Sequence, residues 1–286
     1  MPTTIAEAFQ TLKSNLEITG LQDQTCSIRQ AEVRRVVDDG LTVYEDFLVG
    51  SYRRSTMITP LADADLDIFC VLHHSYYALG QRGLLDKLWG VLRRTYTRTS
   101  DISKNGQAVT MKFSDFSVDV VPAFNRSGGG FLIPDSKSAR WISTDPRTHI
   151  DLWSQSNAAH AGDFIPVVKM MKAWKRHVDL PMSSFHLETI IYHSLNNVQI
   201  TDFPSAVRFA LDKGYQRINN PVDDPAGYSN DVGASMSSAD RLSCSVGFTL
   251  GHRLAKEAEV HAQNGRTREA FAKWRALFGD VFPAYG

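Results

Sequence analysis

Cysteine is scarce in this chain of 286 residues, with Cys26, Cys70 and Cys244 standing far apart. Isolated thiols of that kind build neither a disulfide framework nor a cysteine-rich zinc site. An excess of either charge is also missing: 31 Lys and Arg balance 31 Asp and Glu. Proteins that track duplex nucleic acid carry a basic face, because phosphate neutralisation supplies most of their affinity. A large nucleic-acid surface is therefore disfavoured. No apolar run approaches the length of a membrane span. The start, Met1-Pro2-Thr3-Thr4-Ile5-Ala6-Glu7, has neither the basic nor the apolar region of a signal peptide. A cytoplasmic location is expected. With 43% hydrophobic and 22% charged residues, the composition is that of a globular protein holding one large domain or two packed ones.

The most informative stretch is Gly50-Ser51, eleven further residues, and then Asp63-Ala64-Asp65 opening the apolar run Leu66 to Leu72. Alternate residues of a strand share a face. Read as a strand, Asp63, Asp65 and Asp67 line one face while Ala64, Leu66 and Ile68 turn to a core. Carboxylates gathered in that way repel one another unless a cation sits among them. Mg²⁺ is held by one or two carboxylates plus substrate phosphates. Gly50-Ser51, where a strand Phe47-Leu48-Val49 would end, offers backbone N–H groups and a hydroxyl to phosphate. An EF-hand loop beginning at Asp63 would need Gly and Glu where Ile68 and His74 stand, so that reading fails. Phosphate grip plus metal carboxylates reads as nucleotidyl transfer.

Such chemistry needs another acid from a neighbouring strand to complete the metal that activates the attacking hydroxyl. Ala108 to Phe113 and Phe116 to Phe124 read as two strands around a Ser114-Asp115 turn. In the second, Asp119 is the only charge, alternating with Val118 and Val120. The competing reading is a buried Asp paired with an Arg. The pattern with Gly50-Ser51 and Asp63/Asp65 favours the metal.

Gly-Ser, this spacer, Asp-x-Asp and a later Val-Asp-Val resemble the DNA-polymerase-β-like nucleotidyltransferase superfamily. The string Gly50-Ser51-Tyr52-Arg53-Arg54-Ser55-Thr56…Asp63-Ala64-Asp65-Leu66-Asp67 resembles, more narrowly, the bacterial cGAS/DncV-like nucleotidyltransferases, relatives of oligoadenylate synthetase. Lys172-Ala173-Trp174 and Ser184-Phe185-His186-Leu187-Glu188 are similar to that family's nucleotide-contacting segments, and the matches run over roughly residues 45 to 190. The resemblance implies an α/β (α+β) fold: a polymerase-β-like core with a mixed sheet over residues 1–150, N-terminal helices included, and a C-terminal helical lobe over 151–286. It implies an Mg²⁺-dependent nucleotidyltransferase, with two metal ions and Mn²⁺ as an alternative. Asp63 and Asp65 would bind both metals, Asp119 would complete the one at the acceptor hydroxyl, and Gly50, Ser51, Lys172 and Ser184 would hold the nucleotide. The implied product is a cyclic di- or trinucleotide second messenger made from NTPs without a template, in anti-phage defence. Linear oligonucleotide synthesis, nucleotide transfer to an antibiotic or protein acceptor, and an idle nucleotide sensor are the alternatives. The clustered zinc ligands of animal cGAS are missing, so no duplex DNA or RNA is expected as an obligatory partner. Expected instead are NTP substrates, regulatory protein partners, no membrane and a monomer.

The remaining pattern sets the order of elements. Helical spacing is expected over Thr4–Leu16 and from Ser27, as N-cap, to Asp39. Strands follow at 47–50 and 65–72, a helix at 83–96, and strands at 108–113 and 116–124. Ser127-Gly128-Gly129-Gly130 opens no helix and carries no following Lys-Thr or Lys-Ser, so it reads as a turn. Helices are then expected near 147–158, 163–177, 183–195 and 203–212. Ser237 with Asp240 resembles a capping box for a long helix ending at Gly265, and a last helix runs from Thr267 to Gly279. Over Phe164–His177, Ile165, Val168, Met171 and Trp174 should face the core, with Lys169, Lys172, Lys175 and Arg176 forming a second stripe.

Overall fold

A computed structural model describes residues 1–99 and 101–286. Helix α1 (Ile5–Asn15) and helix α2 (Gly20–Gly40) lead into strand β1 (Val43–Leu48), the single turn α3 (Gly50–Arg53) and strand β2 (Asp65–Leu72). Helix α4 (Gly80–Thr95) follows, then strands β3 (Asp101–Lys104), β4 (Val109–Lys112), β5 (Ser117–Asn125), β6 (Phe131–Asp135) and β7 (Arg140–Thr144). The rest is helical: α5 (Pro146–Ala159), α6 (Phe164–His177), α7 (Ser184–Leu195), α8 (Phe203–Ile218), α9 (Ser238–Gln263) and α10 (Thr267–Phe278). The chain divides into a unit of residues 18–150 and a unit formed by residues 1–17 with 151–286. Helix α1 thus belongs with the C-terminal helices, and α2 with the sheet.

In the first unit the sheet runs β1-β2-β5-β4-β3, with β6 on the far end of β5 and β7 beside β6. Among the described residues only β2 and β5 pair in parallel and the other pairs are antiparallel, so the sheet is mixed. Alternation decides its two faces. Leu66, Ile68, Cys70 and Leu72 of β2, with Val118 and Val120 of β5, pack against Val33, Val37, Leu84, Leu88 and Leu92 of α2 and α4. The opposite face carries Phe69, Val71, Ala123, Phe131 and Ile133 in a smaller cluster. The acids of β2 and β5 sit at the end of that second face.

Several local expectations change. Helix α2 starts a full two turns before Ser27, because Thr19 and Gln22 form a reciprocal capping box. Helix α8 extends to Ile218, and strands β3, β6 and β7 were not anticipated. Ser127–Gly130 is the turn between β5 and β6, with φ positive at Gly128, Gly129 and Gly130. The Ser237–Asp240 capping box is present as the sequence suggested.

In the second unit, α1 buries Phe9 against Trp274, Phe278 and Phe282, with ring centroids 4.9, 6.1 and 5.3 Å away. Helix α6 is buried from Phe164 to Trp174. Trp153 of α5 stacks on Tyr192 of α7 at 5.0 Å.

Candidate active site

Strand β1 ends where Val49 N–H donates to the Asp67 carbonyl at 3.0 Å, which lays residue 50 against the side of β2. Gly50 has φ +64°, and a Cβ there would fall 1.7 Å from Asp67 Oδ2. Glycine is therefore required twice, by the backbone conformation and by the carboxylate. The turn folds back on itself: Thr56 and Met57 N–H donate to the Ser51 carbonyl at 2.8 and 3.1 Å. Tyr52 Oη donates to Asp23 Oδ1 of α2 at 2.6 Å, tying the turn to that helix. Desolvation, then the Asp23 contact, pushes the Tyr52 phenol up to about 12.

The parallel pairing of β2 and β5 sets the acids in register. Asp65 lies opposite Ser117, and Asp67 opposite Asp119. Opposed residues share a face, so Asp65, Asp67, Asp119 and the Gly50 backbone come together. Asp63 stands outside this register, which begins at Asp65. It closes a 3-10 turn, Leu61–Asp63, and is solvent-exposed outside the strand. The two-residue period that placed Asp63 on the acid face is broken by that turn. The acid that extends Asp65 along the strand is Asp67, which the sequence reading put on the face but left out of the site.

Burial is the largest effect on the Asp65 carboxyl and raises it, a hydrogen bond with Ser117 partly offsetting the shift. The residue as a whole is exposed, but its carboxyl end is partly desolvated. Asp119 is raised first by burial; the Thr110 hydroxyl lowers it and the charge of Asp65 raises it again. Both carboxylates are thus held in a setting that disfavours their charge.

The donors are hard carboxylate oxygens, the type that Mg²⁺ and Mn²⁺ take. Among the described residues no three acidic, His or Cys side chains converge into a closed metal cage. A closed cage is not what this chemistry requires, since Mg²⁺ is bound by one or two carboxylates together with substrate phosphates. The disfavoured charges on Asp65 and Asp119 fit a cation that arrives with the nucleotide.

The other residues expected at the site belong to the helical unit. Lys172 is buried and pairs with the fully buried Glu188 at 3.2 Å. Lys169 is buried too, and pairs with Glu17 at 2.6 Å. The lysine stripe is therefore not simply solvated, because neutralising acids come from α7 and from Glu17, just past the C-cap of α1. The Lys175 ammonium is lowered by burial and then by the neighbouring Lys172 charge. Ser184 is the first residue of α7, but the cap is Ser183, whose hydroxyl accepts the His186 N–H at 3.1 Å. Ile165, Val168, Met171 and Trp174 are all buried, as their spacing required.

A family model described as the Second Messenger Oligonucleotide or Dinucleotide Synthetase domain matches residues 3–157, more than half of the chain. The chain belongs to this family. Among the relatives of this synthetase is the cyclic AMP-AMP-AMP synthase of Acinetobacter sp. (strain ATCC 27244 / 9458), 26% identical over 310 residues that cover 98% of this chain and 86% of that one. The structure of CdnC from E. coli MS115-1 with ATP superposes with a TM-score of 0.78 at 16% identity, covering 98% and 99% of the two chains. The complex of E. coli MS115-1 CdnC with HORMA-deltaN gives 0.74 at 17% identity, covering 98% of each. The synthetase thus has the fold of the cGAS/DncV-like nucleotidyltransferases, with a mixed sheet and a helical C-terminal region. Among the described residues no helix is long and apolar enough to cross a membrane.

Proposed function

We propose that this synthetase condenses nucleoside triphosphates into a cyclic di- or trinucleotide second messenger with release of pyrophosphate, as part of anti-phage defence. The observation that carries the reading is the register of Asp67 with Asp119 beside the glycine turn at residue 50. Asp65, Asp67 and Asp119 are the proposed metal carboxylates, replacing the set that included Asp63. A bound divalent cation would lower the pKa of the acceptor ribose hydroxyl and neutralise charge on the α-phosphate. With no Cβ at position 50, the Gly50-Ser51 backbone can approach a phosphate closely, and the Ser51 hydroxyl can donate to it. Asp119 stands to orient the acceptor hydroxyl, whose oxygen forms the new bond to the α-phosphorus as the bond to the leaving pyrophosphate breaks. Lys172 and Ser184 are proposed as nucleotide contacts on the family's pattern.

The metal is proposed as Mg²⁺ or Mn²⁺, two ions per site, and the protein as a cytoplasmic monomer. The HORMA complex of CdnC supports a regulatory protein partner for this synthetase as well. Incubating purified protein with labelled NTPs and Mg²⁺ or Mn²⁺, followed by phosphatase, tests the activity. A phosphatase-resistant labelled product is expected. Label appearing only on an added small-molecule or protein acceptor would contradict it.

A further inference from the structure

We infer that Thr110 and Asn105 are positioning residues for Asp119, forming a hydrogen-bond chain that runs from the β3–β4 turn to the carboxylate. Thr110 stands directly opposite Asp119 in the β4–β5 ladder, so their side chains leave the sheet on one face. The Thr110 hydroxyl donates to Asp119 Oδ1. Asn105 Nδ2 donates in turn to Thr110 Oγ1 at 2.6 Å. A hydroxyl has one proton to give. Because Oγ1 already accepts from the Asn105 amide, that proton is directed to Asp119, and Oδ1 must be the acceptor. That bond restrains rotation of the carboxylate and would leave Oδ2 for a cation and the acceptor hydroxyl.

The turn that carries Asn105 is itself fixed. Asn105 N–H donates to the Ala108 carbonyl at 2.8 Å, and the buried Gly106 turns the chain with φ +70°. An edge hairpin that would otherwise only finish the sheet thus sets the rotamer of a site acid. On the other side of Asp119 in the sheet lies Asp67, another acid, so among the described residues of the ladder Thr110 is the side chain placed to donate to it. Short charge-assisted hydrogen bonds are the means by which such a carboxylate is held within the tolerance that transfer chemistry allows.

The inference rests on the proposed role of Asp119. Its test is Thr110→Val, which keeps the β-branched shape and removes the hydroxyl, read by two measurements on the whole protein. The first is the rise in Tm on adding Mn²⁺ without nucleotide; the second is kcat and KM for NTP. Thr110→Val is expected to reduce the Mn²⁺-induced rise and to lower kcat about tenfold, the weight of one hydrogen bond to a charged group, with KM little changed. Thr110→Ser should restore most of the rate, and Asn105→Ala, an exposed turn residue that leaves the strand intact, should give a smaller loss of the same kind. Combined with Asp119→Asn, Thr110→Val should add nothing, since its effect passes through that carboxylate. If Asp119→Asn is inactive while Thr110→Val and Asn105→Ala both keep the wild-type kcat and Mn²⁺ response, the chain is merely structural and only this inference falls. If Asp119→Asn itself keeps both, the proposed role of Asp119 falls and this inference with it.

Discussion

Replacing Gly50 by Ala should disable the synthetase without unfolding it. Two effects act at that position. The backbone has φ +64°, where an L side chain costs about 1–2 kcal/mol. The new Cβ would also stand 1.7 Å from Asp67 Oδ2 and 2.5 Å from its Cγ, against the 3.0 Å below which real Cβ atoms essentially never come. The Asp67 carboxylate must therefore swing away by more than about 1 Å, and a misplacement of that size costs roughly 100-fold in rate. The strain alone lowers Tm by a few degrees, at about 2–4 °C per kcal/mol for a chain somewhat smaller than this one. Gly265→Ala is the control. Its φ of +71° imposes a similar backbone strain, but nothing lies within 4 Å of the added Cβ. Thermal unfolding and labelled-NTP turnover should show both variants losing a few degrees and only Gly50→Ala losing the rate. A Gly50→Ala protein with kcat near the wild type would refute the claim that Asp67 must stand where the structure holds it.

Other outcomes follow from the same geometry. Asp65→Asn and Asp119→Asn should each raise Tm in the absence of metal at pH 7, because burial disfavours the charged form of both groups; a fall in Tm would mark either acid as a structural ion-pair residue. Lys172→Met should destabilise the protein by about 3 kcal/mol, because it removes the ammonium paired with the buried Glu188 carboxylate, and a compensating Glu188→Leu should recover much of that in chemical denaturation. If Lys172 also touches the nucleotide, KM for NTP stays raised in the double variant; a normal KM there removes it from the nucleotide site. His186 is fully buried, and desolvation pushes its pKa down to about 4. Its folded pKa lies below the unfolded value near 6.5, so its contribution is complete above that value and is lost as pH falls toward 4. Denaturation curves over that range should show an acid-side loss that His186→Phe diminishes, and an unchanged slope would mean that another group governs it.

Much of the sheet was legible in the sequence because its central strands are strongly patterned. The run after Asp67 is apolar on both faces, and β2 spans Asp65–Leu72 as expected. Val118 and Val120 alternate with Asp119 on β5, so the lone acid had to face away from the α2–α4 core. The choice between Asp63 and Asp67 was not legible. Acids at 63, 65 and 67 keep the same face under a two-residue shift, and only the pairing of β2 with β5 shows which of them meets Asp119. Strands β3 and β7, Asp-Ile-Ser-Lys and Arg-Trp-Ile-Ser-Thr, are short and largely polar and carry no clear alternation. The start of α2 was misplaced because Ser27 resembles a cap, whereas Thr19 and Gln22 form one. Thr110 carried no local signal, and Glu188, though part of the Ser184–Glu188 segment, carried none for a pairing with Lys172. Their importance lies in which side chains they meet, Asp119 across a ladder and Lys172 across two packed helices.

The central claim is that nucleotidyl transfer is carried by the acids that the β2–β5 register brings together. The direct measurement is product formation from labelled NTPs, with Mg²⁺ or Mn²⁺, by Asp63→Asn and Asp67→Asn side by side, each checked for a wild-type circular dichroism spectrum. Asp67→Asn should abolish the phosphatase-resistant product and Asp63→Asn should largely retain it. An inactive Asp63→Asn beside an active Asp67→Asn would contradict the account.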